Sequence, residues 1–211
     1  MSNTGRSPAI VTWAAKADAH AVADHIAAKI MANTDQWFAV PGGNTPLPIF
    51  ENLSKRPLPW NTVSLVLTDD RMVPEDHPAS NQGKLLAAFK DSAAHIHRLE
   101  VGMMPPTFDM VWLGMGTDGH IASLFPNIDP TAAGEPAVIN TTPEPLPPEA
   151  PFERVSLNMA ALINAKEIVL VVKGAEKKRV LDEAIAGAHD LPISRLFAAA
   201  RCPITIFWSR S

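Results

Sequence analysis

Cysteine is almost missing from this chain of 211 residues: Cys202 stands alone, so no internal disulfide can close and no four-cysteine zinc site can form. A reducing compartment fits that count. Excess positive charge is missing as well. A formal net charge of -4 and a pI near 5.9 argue against a surface made to neutralise a nucleic acid backbone, and any phosphate bound in a local basic pocket is expected to be small. There is no helix-turn-helix segment and no basic region. Nor is there a run of about 18 apolar residues, and the opening MSNTGRSPAIVTWAA has no basic stretch leading into a long apolar one. The expectation is a cytoplasmic protein with no membrane and no nucleic acid partner. Glycine is scarce beside proline, 11 against 20, so the placement of each carries information.

What is present is enough apolar residue for a full core, and residues 1–211 are expected to form one domain. Short apolar runs recur at Trp37 to Val40, Val63 to Leu67, Met110 to Leu113, Ile168 to Val172 and Ile204 to Trp208. They do not alternate, as expected of strands buried on both faces of a parallel sheet. Helical spacing lies between them. Val22, Ile26 and Ile30 repeat at four-residue intervals, and Val180, Leu181, Ala184 and Ile185 form a second stripe that ends at Gly187 as a C-cap. This alternation predicts a Rossmann-like three-layer αβα domain with a mostly parallel central sheet. The segment from Pro126 to Pro151 holds eight prolines and reads as a long surface excursion with no regular strand, either a functional lid or a bland insertion.

In such a sheet, ligands collect beyond the carboxyl ends of the strands, and three polar clusters fall there. The first is PGGNTP, residues 41–46. Gly42 and Gly43 allow backbone amides to approach an anion, Asn44 and Thr45 add donors, and Pro46 suits the first turn of a helix. A plain turn with a helix cap explains the same residues equally well. The second is DDRMVPEDHPASN, residues 69–81, in which Arg71 could grip phosphate and Asp69 could reach a sugar hydroxyl or move a proton. Its acids could equally be solvated, with Arg71 pairing with one of them. The third, GMGTDGHIASLFP at 114–126, is the densest. His120 can take a proton near neutral pH, and Asp118 can fix its tautomer. His77, in the second cluster, reads as a loop-stabilising group.

Other chemistries fit poorly. Gly114, Gly116 and Gly119 match G-x-G-x-x-G, but the proline-rich segment stands where a dinucleotide fold needs a second strand, and Asp118 would repel a pyrophosphate. Ser123 is not on a G-x-S-x-G elbow, and no metal-binding helix motif supports a metal site.

Together and in this order, the clusters resemble those of the 6-phosphogluconolactonases, within the group that includes glucosamine-6-phosphate deaminase. That family reads approximately SGGSTP, DERxVPxxHxxSN and GxGxDGHxASLFP, then an R-[VI]-[ST] strand and a glycine with a lysine opening a late helix. Here ERVSLN and KGAEKKRVL complete the series, and the resemblance spans roughly residues 36 to 185. Pro41, Asn44, Asp70 and Ile121 depart from it. Deaminases carry IAFNEP and DEY where this chain has IASLFP and DDR, which favours the lactonase. The resemblance implies lactone hydrolysis without a cofactor or a metal, on a small-molecule sugar-phosphate lactone, by a monomer or small homo-oligomer. It implies His120 as general base with Asp118 orienting it, and Gly42, Gly43, Asn44, Thr45, Asp69, Arg71, Arg154 and Lys177 as substrate-binding residues. Amides near Gly116 to Gly119 are expected to receive the oxyanion. The rivals are an amino-sugar phosphate deaminase or isomerase and a non-catalytic sugar-phosphate sensor.

Overall fold

In the computed structural model, which describes residues 9–128, 133–146 and 151–210, the five unalternating apolar runs are strands of one parallel sheet. In chain order the elements are β1 (Val11–Trp13), α1 (Ala19–Ala32), β2 (Gln36–Val40), α2 (Leu47–Ser54), β3 (Val63–Leu67), β4 (Asp69–Arg71), α3 (Asn81–Phe89) and β5 (His95–His97). They continue with β6 (Met110–Leu113), β7 (Val138–Thr141), β8 (Arg154–Leu157), α4 (Met159–Ile163), β9 (Ile168–Lys173), α5 (Ala175–Ile185), α6 (Pro192–Ala199) and β10 (Ile204–Ser209). The large sheet has the order β1-β10-β9-β6-β2-β3-β5, with every neighbouring pair parallel.

Strand alternation sends Phe38 and Val40 of β2 to the layer of α1, α2 and α3, and Ala39 to the layer of α4, α5 and α6. This gives the expected three-layer αβα arrangement. Phe38 is 1% exposed, so its truncation to alanine would cost about 3–5 kcal/mol. The helix ends follow the sequence. Asp18 accepts from the Ala21 amide at 2.9 Å to cap α1, and Gly187, at φ 70°, follows the last residue of α5's C-terminal turn. Pro46 stands just outside α2, and Pro48 occupies its first turn. Among the described residues no helix is long and apolar enough to cross a membrane.

Below the sheet's amino-terminal edge, Glu167 joins α1 to the start of β9. It accepts from Lys29 at 3.1 Å, meets His25 at 2.7 Å, and accepts from the Thr205 hydroxyl at 3.2 Å. Burial opposes its charge, but the contacts with His25 and Lys29 outweigh that and bring its carboxyl down to about 2.

The proline-rich segment differs from expectation. It contains β7, which pairs antiparallel with β8, and β8 pairs with β4 to make a second sheet of order β4-β8-β7. VINT is a proline-free window between Pro136 and Pro143, and its end residues Val138 and Thr141 are buried. Counting prolines over the whole segment hides it. Residues 129–132 and 147–150 of that segment lie outside the described ones. Asp69 to Arg71 likewise form a short strand where a loop was expected.

Chain direction fixes where a ligand can sit. From β2 the chain moves outward to β3 and β5, whereas from β6 it moves the other way to β9 and β10. The neighbours β2 and β6 therefore flank the switch point, and the crevice beyond their carboxyl ends is the natural binding place.

Candidate active site

Beyond β6, which is buried at all four positions, the chain turns back on itself. The Gly116 amide donates to the His120 carbonyl at 2.9 Å and the Gly119 amide to the Gly116 carbonyl at 3.2 Å, with Gly119 at φ 79°. This turn lays Asp118 and His120 side by side. The imidazole Nδ1 lies 2.6 Å from Asp118 Oδ1, and the His120 amide donates to the same oxygen at 3.2 Å. A carboxylate can only accept here, so the neutral ring carries its proton on Nδ1 and leaves the Nε2 lone pair free to take another. Burial acts against the Asp118 charge, but the hydrogen bond and charge of His120 outweigh it and hold the carboxyl below its usual range. Phe125 covers one side of the imidazole, with ring centres 4.8 Å apart. Gly116 is required for this approach: a Cβ there would run into the imidazole and would come within 2.5 Å of Asp118 Oδ1.

The glycine loop follows β2. Gly43 has φ 88° and donates its amide to Asn81 Oδ1 at 3.0 Å, and a Cβ on Gly42 would overlap the Asn81 side chain. Asn81 Oδ1 also accepts from Arg71 Nη1 at 3.4 Å, and Arg71 Nη1 donates to the Ala79 carbonyl at 2.8 Å. Beneath them Asp70, 7% exposed, accepts the amides of Arg71, Asn81 and Gln82 at 2.7, 2.7 and 2.9 Å. Burial pushes its carboxyl up despite these bonds. Asp70 is thus a brace for the amino end of α3, not a solvated acid.

Asp69 faces the other way. It accepts from the Ser123 hydroxyl at 2.7 Å and from the Thr68 hydroxyl at 3.2 Å. Ser123 belongs to the His120 turn, where Ala122 has a φ of 48°, in the left-handed region that costs a non-glycine residue energy.

These turns enclose one crevice of about 270 Å³ at the switch point. Residues 42–45, Asp69, Arg71, His120 and Lys177 all line it, so three separated clusters meet. Asp118 stands behind His120 and lines an outer trough of about 690 Å³, which shares Gly116, His120 and Lys177 with the crevice. Pro143, Glu144 and Pro145 wall that trough, held by the Asn127 amide, which donates to the Glu144 carbonyl at 2.7 Å. Part of the proline-rich segment therefore borders the site.

Arg154 does not join the crevice lining. It is 4% exposed on β8, in register with Arg71, and burial and the Arg71 charge hold its pKa down while Asp69 and Asp70 act to raise it. Three amides expected to receive anions are committed internally: that of Gly43 to Asn81, and those of Gly116 and Gly119 within their own turn. Strand ends identify the loops but not the direction of each amide. Sequence reading passed over Asn81, although it closes the second cluster, and over Lys173, which also lines the crevice. It considered Ser123 only as a nucleophile. His77 accepts from the Ala79 amide at 3.0 Å, the loop role expected of it.

Residues 12–207 match the family described as glucosamine-6-phosphate isomerases/6-phosphogluconolactonase. A 6-phosphogluconolactonase of Caulobacter vibrioides is 33% identical over 193 residues, covering 82% of each chain. One of Pseudomonas putida is 34% identical over 210 residues, covering 90% of this chain and 86% of that one. The crystal structure of a 6-phosphogluconolactonase from Shewanella baltica superposes with a TM-score of 0.77 at 27% identity, covering 97% of this chain and 99% of that one.

Proposed function

The chain belongs to the glucosamine-6-phosphate isomerase/6-phosphogluconolactonase family, and on that footing we propose that it hydrolyses 6-phospho-D-glucono-1,5-lactone to 6-phosphogluconate, in the oxidative pentose phosphate route. The observation that carries the reading is the crevice itself, in which the free face of an aspartate-oriented histidine shares one small space with a glycine loop and an arginine.

A δ-lactone is an activated ester, so a positioned base and binding through the distant phosphate can suffice. His120 Nε2 takes a proton from water as its oxygen attacks the lactone carbonyl. Asp118 keeps the proton on Nδ1 and stabilises the imidazolium that forms. Collapse of the tetrahedral intermediate breaks the bond between C1 and the ring oxygen, and the imidazolium returns its proton to that oxygen. The new carboxylic acid then ionises to solvent. Residues 42–45, Arg71 and Lys177 hold the phosphate, and Asp69, fixed by Ser123, faces the sugar hydroxyls. Arg154, buried on β8 in register with Arg71, adds a second positive charge beside that side chain and strengthens the pull on the phosphate.

The test is the rate of acid release from freshly generated lactone, with ammonia release from glucosamine 6-phosphate measured alongside. His120→Ala should lower kcat by about 10²-fold to 10⁴-fold with little change in KM. Ammonia release would move the protein to the deaminases, and tight binding without turnover would make it a sensor.

A further inference from the structure

Three cations line the crevice, each entering from a different side. Arg71 also borders a cavity of about 540 Å³ behind β4, Lys177 borders the outer trough beside His120, and Lys173 borders a recess of about 300 Å³ that shares Thr45 and Val171 with the crevice. Among the described residues that line the crevice Asp69 is the one carboxylate, so their balance is two positive charges in a chain whose net charge is -4. A phosphate monoester near neutral pH carries a charge of about -1.5 to -2.

Lys173 is the last residue of β9, opposite Ser209, and alternation places its side chain on the same face as Val171, which lines the crevice floor. Its surroundings differ from those of its neighbours on α5. Lys178 and Arg179 each meet a carboxylate one turn on, Asp182 and Glu183, both at 2.7 Å. Among the described residues neither Lys173 nor Lys177 forms an ion pair, and Lys173 stands exposed at the mouth. A lysine held without a counter-charge beside an anion-accepting loop is complementary to a ligand that brings the charge.

We propose that Lys173 is a further substrate-binding residue, which contacts the phosphate of the substrate from the Thr45 side, away from the reacting carbonyl, and so sets the preference for a phosphorylated lactone. This rests on the lactonase reading for its substrate. Because the phosphate is remote from the bond that breaks, a Lys173 contact with it is made equally in ground and transition states and should appear in KM and not in kcat.

The experiment compares Lys173→Met, which keeps the stem and removes the charge, and Lys173→Arg, which keeps the charge. Both are assayed on 6-phosphogluconolactone and on unphosphorylated glucono-δ-lactone. Lys173→Met should raise KM for the phosphorylated lactone about ten-fold, the size of one lost charge-assisted contact, with kcat within about two-fold. Lys173→Arg should recover most of this, and kcat/KM for glucono-δ-lactone should not move. Calorimetric binding of 6-phosphogluconate should weaken by the same factor, a readout that needs no turnover. An inactive wild-type protein would therefore defeat the lactonase reading while the titration still decides Lys173. Unchanged binding in Lys173→Met, or an equal fall on both lactones, would overturn the assignment.

Discussion

Gly116→Ala should separate the histidine from its orienting acid without replacing either. Gly116 is not among the residues with positive φ, so alanine meets no backbone objection, and the added methyl acts only on what lies beside it. What lies beside it is the imidazole of His120 and the carboxylate of Asp118, both too close for a Cβ. The two side chains are 33% and 50% exposed, so they can swing outward, and the fold should survive with a stability change of under about 1 kcal/mol. The 2.6 Å contact between them cannot survive. If the oriented base supplies its usual share of the rate, kcat should fall about 10²-fold or more, while KM stays near the wild-type value because the glycine loop and Arg71 are not disturbed. Stopped-flow proton release from fresh lactone reads the rate, with thermal unfolding as the check on folding. In a His120→Ala background the same substitution should be almost silent, because residues acting as one unit are not additive. A folded Gly116→Ala protein within three-fold of wild-type kcat would refute the pairing as the source of catalysis, and so would an effect that simply multiplies with that of His120→Ala.

Asn81→Ala removes the acceptor that holds both the Gly43 amide and the Arg71 guanidinium, so KM for the phosphorylated lactone should rise several-fold with kcat little changed. The orphaned Gly43 amide should also cost about 1–3 kcal/mol in urea unfolding, and a variant as stable as wild type would show that the loop holds itself. Glu167→Gln tests the opposite edge of the sheet. A fall of the carboxyl from 4.5 to about 2 corresponds to roughly 3 kcal/mol at about 1.4 per unit, and a loss of about 2 kcal/mol at pH 7 is expected once residual exposure is allowed for. Because the folded-state value is depressed, that stability is present in full above the unfolded value near 4.5 and is lost as pH falls through about 2. The gap between wild type and variant should therefore narrow by about half near pH 3, and a gap constant with pH would refute the ionic origin.

Five of the seven strands of the large sheet were legible because they are buried on both faces, and a continuous apolar run such as MVWL or IVLVV has few other uses, whereas the short, exposed edge strands β1 and β5 leave no such run. The three clusters were legible for a related reason: glycine, aspartate and histidine have no place in that core, so their crowding directly after a strand marks its carboxyl end. What local pattern could not show was the second sheet. VINT and DDR are too short and too polar for periodicity, RVSL was placed as a strand only through the family resemblance, and their burial comes from pairing with one another.

Those short strands nevertheless set the distances on which the chemistry depends. Leu157 of β8 donates its amide to the Thr68 carbonyl at 2.9 Å, which pins the second sheet to the end of β3 just before Asp69. One residue earlier, the Ser156 hydroxyl accepts from the Ser123 amide at 3.2 Å, and the Ser123 hydroxyl in turn donates to Asp69 at 2.7 Å. The His120 turn is thereby fastened to the Asp69 strand through β8, while Asn81 fastens that same strand to the glycine loop. Each cluster carries its own donors and acids, but a base must sit within about 0.5 Å of its working position to act on a substrate gripped several bonds away. In this chain that precision comes from a serine pair and one asparagine. All three are small polar residues whose importance lies in joining loops far apart in sequence, which explains why the chemistry could be read before the parts that align it.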